Sequence, residues 1–149
     1  MKNSPVSSKI LLIDDNRDGL LIRRALLEEQ GYSVEVAPAG EEGLNRFAAV
    51  AFDLVVTDYR MPGMNGVEVI RQIRQIRPEE PIVLLSGFVE PLGLTEENTG
   101  ADAVISKSSN EPAHLIRAIK RLLNPDRARR KPPSPQSGPS SKRSRAANR

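Results

Sequence analysis

The sequence predicts an α/β domain built on a doubly wound parallel sheet of five strands, with five helical segments between and after them. Two observations carry this expectation. Short, continuous apolar runs alternate with longer stretches whose apolar residues recur at helical spacing, the pattern of strands covered on both faces by crossover helices. Most of the runs also stop abruptly at polar residues, Asp14, Asp58, Ser86 and Lys107, as strands do when they deliver side chains to one end of a sheet.

Residues 1 to 8, with Ser4, Pro5, Ser7 and Ser8, read as a flexible lead-in. Ile10-Leu11-Leu12-Ile13 is the first strand, ended by Asp14-Asp15-Asn16. The helix from Arg17 to Gln30 is expected to turn Leu20, Leu21, Ala25 and Leu27 inward, and Gly31 supplies a left-handed terminus. A second strand from Tyr32 to Ala37 precedes a helix over 39–50 with Leu44, Phe47 and Ala48 inward. The third strand, Asp53 to Thr57, delivers Asp58 to a Pro/Gly/Asn loop. The helix over 64–76 then places Val67, Ile70, Ile73 and Ile76 on one stripe. Pro78 and Pro81 bracket a turn into the fourth strand, Ile82 to Leu85, which ends at Ser86-Gly87. Pro91 and Gly93 interrupt the next segment, so only a short helix is expected around Thr95 to Thr99. Ala103-Val104-Ile105 is the fifth strand, ending near Lys107. The last helix runs from Glu111 to Leu123 with Leu115, Ile116, Ile119, Leu122 and Leu123 inward.

Composition separates a folded part from a tail. The 149 residues are a one-domain length, yet only 38% are hydrophobic. From Pro125 to Arg149 there are eight Lys/Arg, one acid and three apolar residues, all alanine, a net +7 against +3 for the whole chain. Residues 1 to 124 therefore carry −4. The expected organisation is a flexible 1–8, a domain over 9–124 and a disordered, basic, Pro/Ser-rich tail over 125–149. That tail is the one feature suited to nucleic acid or an anionic surface. Without cysteine there is no disulfide framework or thiolate chemistry, and no apolar h-region or run of ~18 apolar residues marks a leader or membrane span. A soluble, cytoplasmic protein is the expectation.

In a sheet of order 2-1-3-4-5, the flavodoxin-like order, Asp14, Asp15, Asp58, Ser86 and Lys107 converge on one pocket. Three carboxylates there repel, at about 4 Å and an effective dielectric near 20 by on the order of 4 kcal/mol per pair, so a cation belongs among them. Lys107 is one, and a hard divalent ion such as Mg²⁺ is another. Carboxylates, a hydroxyl and a lysine around a metal suit phosphoryl transfer, with Asp58 as nucleophile forming an acyl phosphate. Each residue also has a plain alternative: the Asp-Asp-Asn run could cap a helix, Ser86-Gly87 could be a turn and Lys107 a solvated charge. Their joint placement at successive strand ends favours chemistry. His114 is expected at the surface without a role, and Met61 and Met64 as gap-fillers.

Over residues 9 to 124 the chain resembles the receiver domain of two-component response regulators, in its stand-alone, chemotaxis-regulator-like form. The likeness is carried by Ile10 to Asp15, by Asp53 to Gly66 with its Asp-x-x-Met-Pro-x-Met-x-Gly pattern, by Leu85-Ser86-Gly87, by Gly100-Ala101-Asp102 and by Ile105-Ser106-Lys107. The resemblance implies that a histidine kinase or phosphotransfer protein phosphorylates Asp58 and thereby switches a surface that binds a downstream protein. It implies direct Mg²⁺ ligation by Asp15, Asp58 and the backbone carbonyl of Arg60, with Asp14 acting through a metal-bound water. Lys107 would pair with the phosphoryl group and Ser86 would move to bond it. Such a chain is a phosphoacceptor switch with Mg²⁺-dependent self-phosphorylation and self-dephosphorylation only.

Two positions depart from the family pattern: Ile105 where receivers commonly hold an aromatic ring, and Ser108 where proline usually follows the lysine. With Pro91 and Gly93 they make the face formed by the fourth helix, fifth strand and fifth helix unusual. A phosphorylation-independent protein-binding scaffold is the alternative reading. A haloacid-dehalogenase-like phosphatase would need a second acid where Arg60 stands, and Asp14-Asp15 would repel a flavin phosphate.

Overall fold

A computed structural model describes residues 7–87 and 93–124. Strands β1 (Lys9–Ile13), β2 (Ser33–Ala37), β3 (Leu54–Asp58), β4 (Ile82–Ser86) and β5 (Ala103–Ser106) form one parallel sheet of order β2-β1-β3-β4-β5, the order expected. The helices are α1 (Arg17–Glu29), α2 (Gly40–Ala49), α3 (Gly66–Ile76), α4 (Glu96–Thr99) and α5 (Glu111–Leu123). Segment 88–92, which contains Pro91, and the basic tail lie outside the described residues, as does the lead-in up to residue 6. No helix among the described residues is long and apolar enough to cross a membrane.

The apolar strands read as continuous runs because both faces are covered. Ile10, Leu12, Leu54, Val56, Val83 and Leu85 join Leu20, Leu27, Leu115, Ile119 and Leu122 in one core layer. The alternate residues, Leu11, Ile13, Val55, Ile82 and Leu84, join Phe47, Val69, Ile70 and Ile73 in the other.

The helix faces needed correction. Leu21 (51% exposed), Ala25, Ala48 and Ile76 (52% exposed) point outward, and Val67 is only half-buried. A strict three-residue step drifts about 60° per step round a helix, so Val67 and Ile76 end on opposite sides. The buried stripe of α3 alternates threes and fours: Gly66, Val69, Ile70, Ile73. In α2 it includes Gly43, because a Cβ there would press on the Ile13 side chain. Gly31 does take the left-handed conformation expected of it, with φ 99°. The short α4 is closed by a capping box between Thr95 and Asn98 and by Gly100 at φ 84°.

Arg74 gathers the end of the sheet opposite the strands' carboxyl ends. Its guanidinium donates to the carbonyls of Pro78 (2.8 Å), Glu80 (2.6 Å) and Gly100 (2.8 Å) and to Asp102 (3.0 Å), whose Oδ2 also accepts from the Ile82 N–H (2.8 Å).

Beside it Glu80 is buried, with Arg77 at 3.2 Å, and its second oxygen, Oε2, has no hydrogen-bond partner among the described residues. Burial pushes its carboxyl up to about 7 from 4.5, Arg77 opposing the rise. A folded-state value above the unfolded one means that stability is fully present below about pH 4.5 and is lost as pH rises through 7. Glu80→Gln is therefore expected to be more stable than the parent at pH 8, by on the order of 2–3 kcal/mol, and to lose most of that advantage by pH 5. Denaturant midpoints across that range check it, and parallel pH profiles would mean that Glu80 titrates normally.

Candidate functional site

The strand order reverses between β1 and β3: from β1 the chain moves outward to β2, from β3 the other way to β4. Side chains beyond the carboxyl ends of these neighbours face a common crevice. Asp58 is the last residue of β3 and pairs with Leu85, while Asp14 follows β1 and extends its ladder through an N–H bond to the Ala37 carbonyl (3.1 Å). Ser86 closes β4 and is buried. Lys107 follows β5, its N–H bonded to the Ser86 carbonyl at 3.0 Å.

The adjacent helix caps spare the acids. Asn16 caps α1 by accepting from the Gly19 N–H (3.0 Å), and Asn65 caps α3 by accepting from the Glu68 N–H (3.0 Å). The capping alternative for the Asp-Asp-Asn run is thus met by its asparagine. Gly66, the first residue of α3, lets that helix start against β3: a Cβ there would strike the carbonyl of Asp58 and come within 2.7 Å of Leu84 Cδ1.

Carboxylate oxygens of Asp14, Asp15 and Asp58 lie within 4.8 Å of one another, Asp14 and Asp58 buried and Asp15 exposed. The Lys107 ammonium reaches Asp58 Oδ1 at 2.5 Å. Burial pushes the Asp58 carboxyl above its ordinary value, the Lys107 hydrogen bond pulls it down, and Asp14 and Asp15 add to the rise. Asp15, Asp58, Arg60, Met61 and Lys107 line a cleft of about 690 Å³. The structure thus brings the acids and the lysine together, puts Arg60 in the lining of their cleft and places Ser86 at the end of the strand next to β3. His114 is exposed, and Met61 is buried in the core. Ile105 is buried in the core layer with Leu115 and Ala118, and Ser108 is exposed.

Sequence reasoning missed Arg23 and Glu111. Asp14 accepts from the Asn16 N–H on Oδ1 (2.9 Å) and from Arg23 Nη1 on Oδ2 (2.9 Å), and Arg23 also bonds Glu111. Burial alone would lower the Arg23 pKa, yet Glu111 and Asp14 hold it above its ordinary value. A signal was present: position 23 falls between Leu20 and Leu27 on the inward stripe of α1, and a charge there requires an acid partner.

Residues 10–120 match the family model described as the response regulator receiver domain. The chain is 34% identical over 116 residues to the aerobic respiration control sensor protein ArcB of Escherichia coli, covering 76% of this chain and 15% of that one. It is 34% identical over 122 residues to the alkaline phosphatase synthesis transcriptional regulatory protein PhoP of Bacillus subtilis, covering 79% of this chain and 49% of that protein. The chain thus spans half or less of these relatives' lengths. Among solved structures, the CheY-like response regulator receiver domain protein from Methanospirillum hungatei superposes with a TM-score of 0.75 at 30% identity, covering 83% of this chain and 99% of that one. The response regulator protein TrrA from Thermotoga maritima, in complex with Mg²⁺-BeF, gives 0.72 at 33% identity, covering 78% and 99%.

Proposed function

Because the chain belongs to the response regulator receiver domain family, we propose that it is a phosphorylation-controlled switch in which Asp58 accepts a phosphoryl group from a histidine kinase or phosphotransfer protein. The observation that carries this reading is the Asp58 carboxylate at the end of β3, bonded by Lys107 and clustered with Asp14 and Asp15. An oxygen of Asp58 bonds to phosphorus as the donor's own bond to phosphorus breaks, and that electron pair leaves with the donor. Lys107 turns its ammonium to the incoming oxygens, and the Ser86 hydroxyl, at the end of the neighbouring strand, moves to bond one of them. Phosphorylation adds about −1.5 to −2 charge, enough to draw both loops inward and shift the surface they carry. With isoleucine at 105 packed in the core, the loops rather than a swinging ring carry that shift to a downstream protein. The reading places the exchange in the cytoplasm.

The donor set fits Mg²⁺. Its oxygens are hard, three carboxylates cluster with Lys107 paired to Asp58 and Arg23 to Asp14, and the relative TrrA was solved with Mg²⁺-BeF. Both oxygens of Asp14 are engaged by Asn16 and Arg23, which supports Asp15, Asp58 and the Arg60 backbone carbonyl as holders. Bound there, the ion would neutralise charge on the transferring group. Asp15→Ala is expected to weaken Mg²⁺ binding at least tenfold with little change in melting temperature, since Asp15 is exposed. Calorimetric titration checks this, and an unchanged affinity would remove Asp15 from the ligand set. The switch itself is tested by intact-mass spectrometry after incubation with a small-molecule phosphodonor, with Mg²⁺ or with EDTA. A single metal-dependent adduct is expected, and none across several donors would favour a phosphorylation-independent scaffold.

A further inference from the structure

Arg23 is shared between two acids that lie 97 positions apart in number, counting from Asp14 to Glu111. Its Nη1 donates to Asp14 Oδ2 at 2.9 Å, while Nε and Nη2 donate to the two oxygens of Glu111 at 3.0 and 2.9 Å, a bidentate grip. All three side chains are withdrawn from solvent, Arg23 to 12%, Asp14 to 1% and Glu111 to 9% exposure. Gly19 keeps the space open: a Cβ there would sit 2.9 Å from Arg23 Nη1 and 3.5 Å from Asp14 Oδ2. Asp14 belongs to the acid cluster, whereas Glu111 is the first residue of α5, outside it.

A bridge serving only to fasten α1 to α5 would need Glu111 alone. By also reaching Asp14, the guanidinium places part of its charge in the acid pocket, while Glu111 draws on the same charge from the far side. We propose that Arg23 is a positioning residue of the acid pocket that sets its affinity for Mg²⁺, with Glu111 determining how much of the Arg23 charge the pocket feels. This rests on the Mg²⁺ reading given above. Two variants that break the same bridge then have opposite effects. Removing Arg23 leaves the pocket more negative and tightens its hold on a divalent cation. Removing the charge of Glu111 exposes the pocket to the whole guanidinium and loosens it. A purely structural bridge has no such sign reversal.

The test is calorimetric titration of the full chain with MgCl₂ at low and at high NaCl, with thermal unfolding in EDTA alongside. Arg23→Gln is expected to bind Mg²⁺ about fivefold more tightly and Glu111→Gln about threefold more weakly, both shifts shrinking in high salt. Both variants melt below the parent, since each strands a buried charge. Shifts of the same sign, or lower melting with unchanged affinities, would reduce the bridge to a fold element. If Arg23→Gln does not fold, Glu111→Gln carries the decision alone, and unchanged or tighter binding overturns the assignment. Absence of Mg²⁺ binding by the parent chain overturns the metal reading and this assignment together.

Discussion

Asp58→Asn takes up no phosphoryl group from a small-molecule donor under conditions in which the parent gains a single adduct. The substitution keeps the shape and an oxygen that can still accept from Lys107, but it removes the anionic oxygen able to attack phosphorus. The loss is not expected to come from unfolding. Burial and the neighbouring Asp14 and Asp15 hold the Asp58 carboxyl above its ordinary value. The charged form therefore destabilises the metal-free domain at pH 7, and the neutral amide relieves that repulsion. The metal-free variant should melt at or above the parent's temperature while losing its stabilisation by Mg²⁺. Intact mass and thermal unfolding measured together separate the two effects. A full adduct on the variant, mapped to another residue, would move the acceptor elsewhere.

Gly66→Ala is expected to lose about 3 kcal/mol, lowering the melting temperature by roughly 10 °C. The added methyl meets the Asp58 carbonyl, Leu84 and the Tyr59 backbone, two of them main chain that cannot rotate away. The short bond from the Gly66 N–H to the Tyr59 carbonyl (2.8 Å) sits at the same contact. Relief by shifting α3 would move the end of β3, so phosphorylation should slow as well. Gly63→Ala, three residues earlier, is the internal control. Its φ is +82°, but nothing lies within 4 Å of the added carbon, so only about 1 kcal/mol of backbone strain is expected. Equal losses at 63 and 66 would show that backbone strain, not close packing, governs the loop.

The strands were legible because the chemistry is local: an apolar run buried on both faces needs no partner to be recognised, and a polar residue closing it marks the strand end. Their order is not local, and rests on the flavodoxin-like arrangement that such a fold class adopts. Asp14, Asp15, Asp58 and Lys107 were placed together by combining those strand ends with that order. Helix faces were less legible, since Leu20 and Leu21 are equally apolar and only the packing of α1 decides that Leu20 goes in. Glycines such as Gly43 bury a face without an apolar signal. Arg23 showed only as a charge on the inward stripe of α1, and its partner Glu111, 88 residues further on, was not legible locally. Glu80 and Arg74 were hidden likewise, each looking like surface charge until turns far apart in sequence are folded against it.

The grip of Arg74 divides the domain mechanically. Carbonyls from the α3–β4 turn and from the residue closing α4 converge on one guanidinium, and Asp102 joins that guanidinium to the first residue of β4. The start of β4 and the approach to β5 are thus tied together, while the opposite rim carries Asp58 and Ser86 as the last residues of β3 and β4, with Asp14, Asp15 and Lys107 just beyond β1 and β5. Under the proposed switching, a disturbance at the rim is then expected to pass between neighbouring strand ends rather than to be taken up at the tied base.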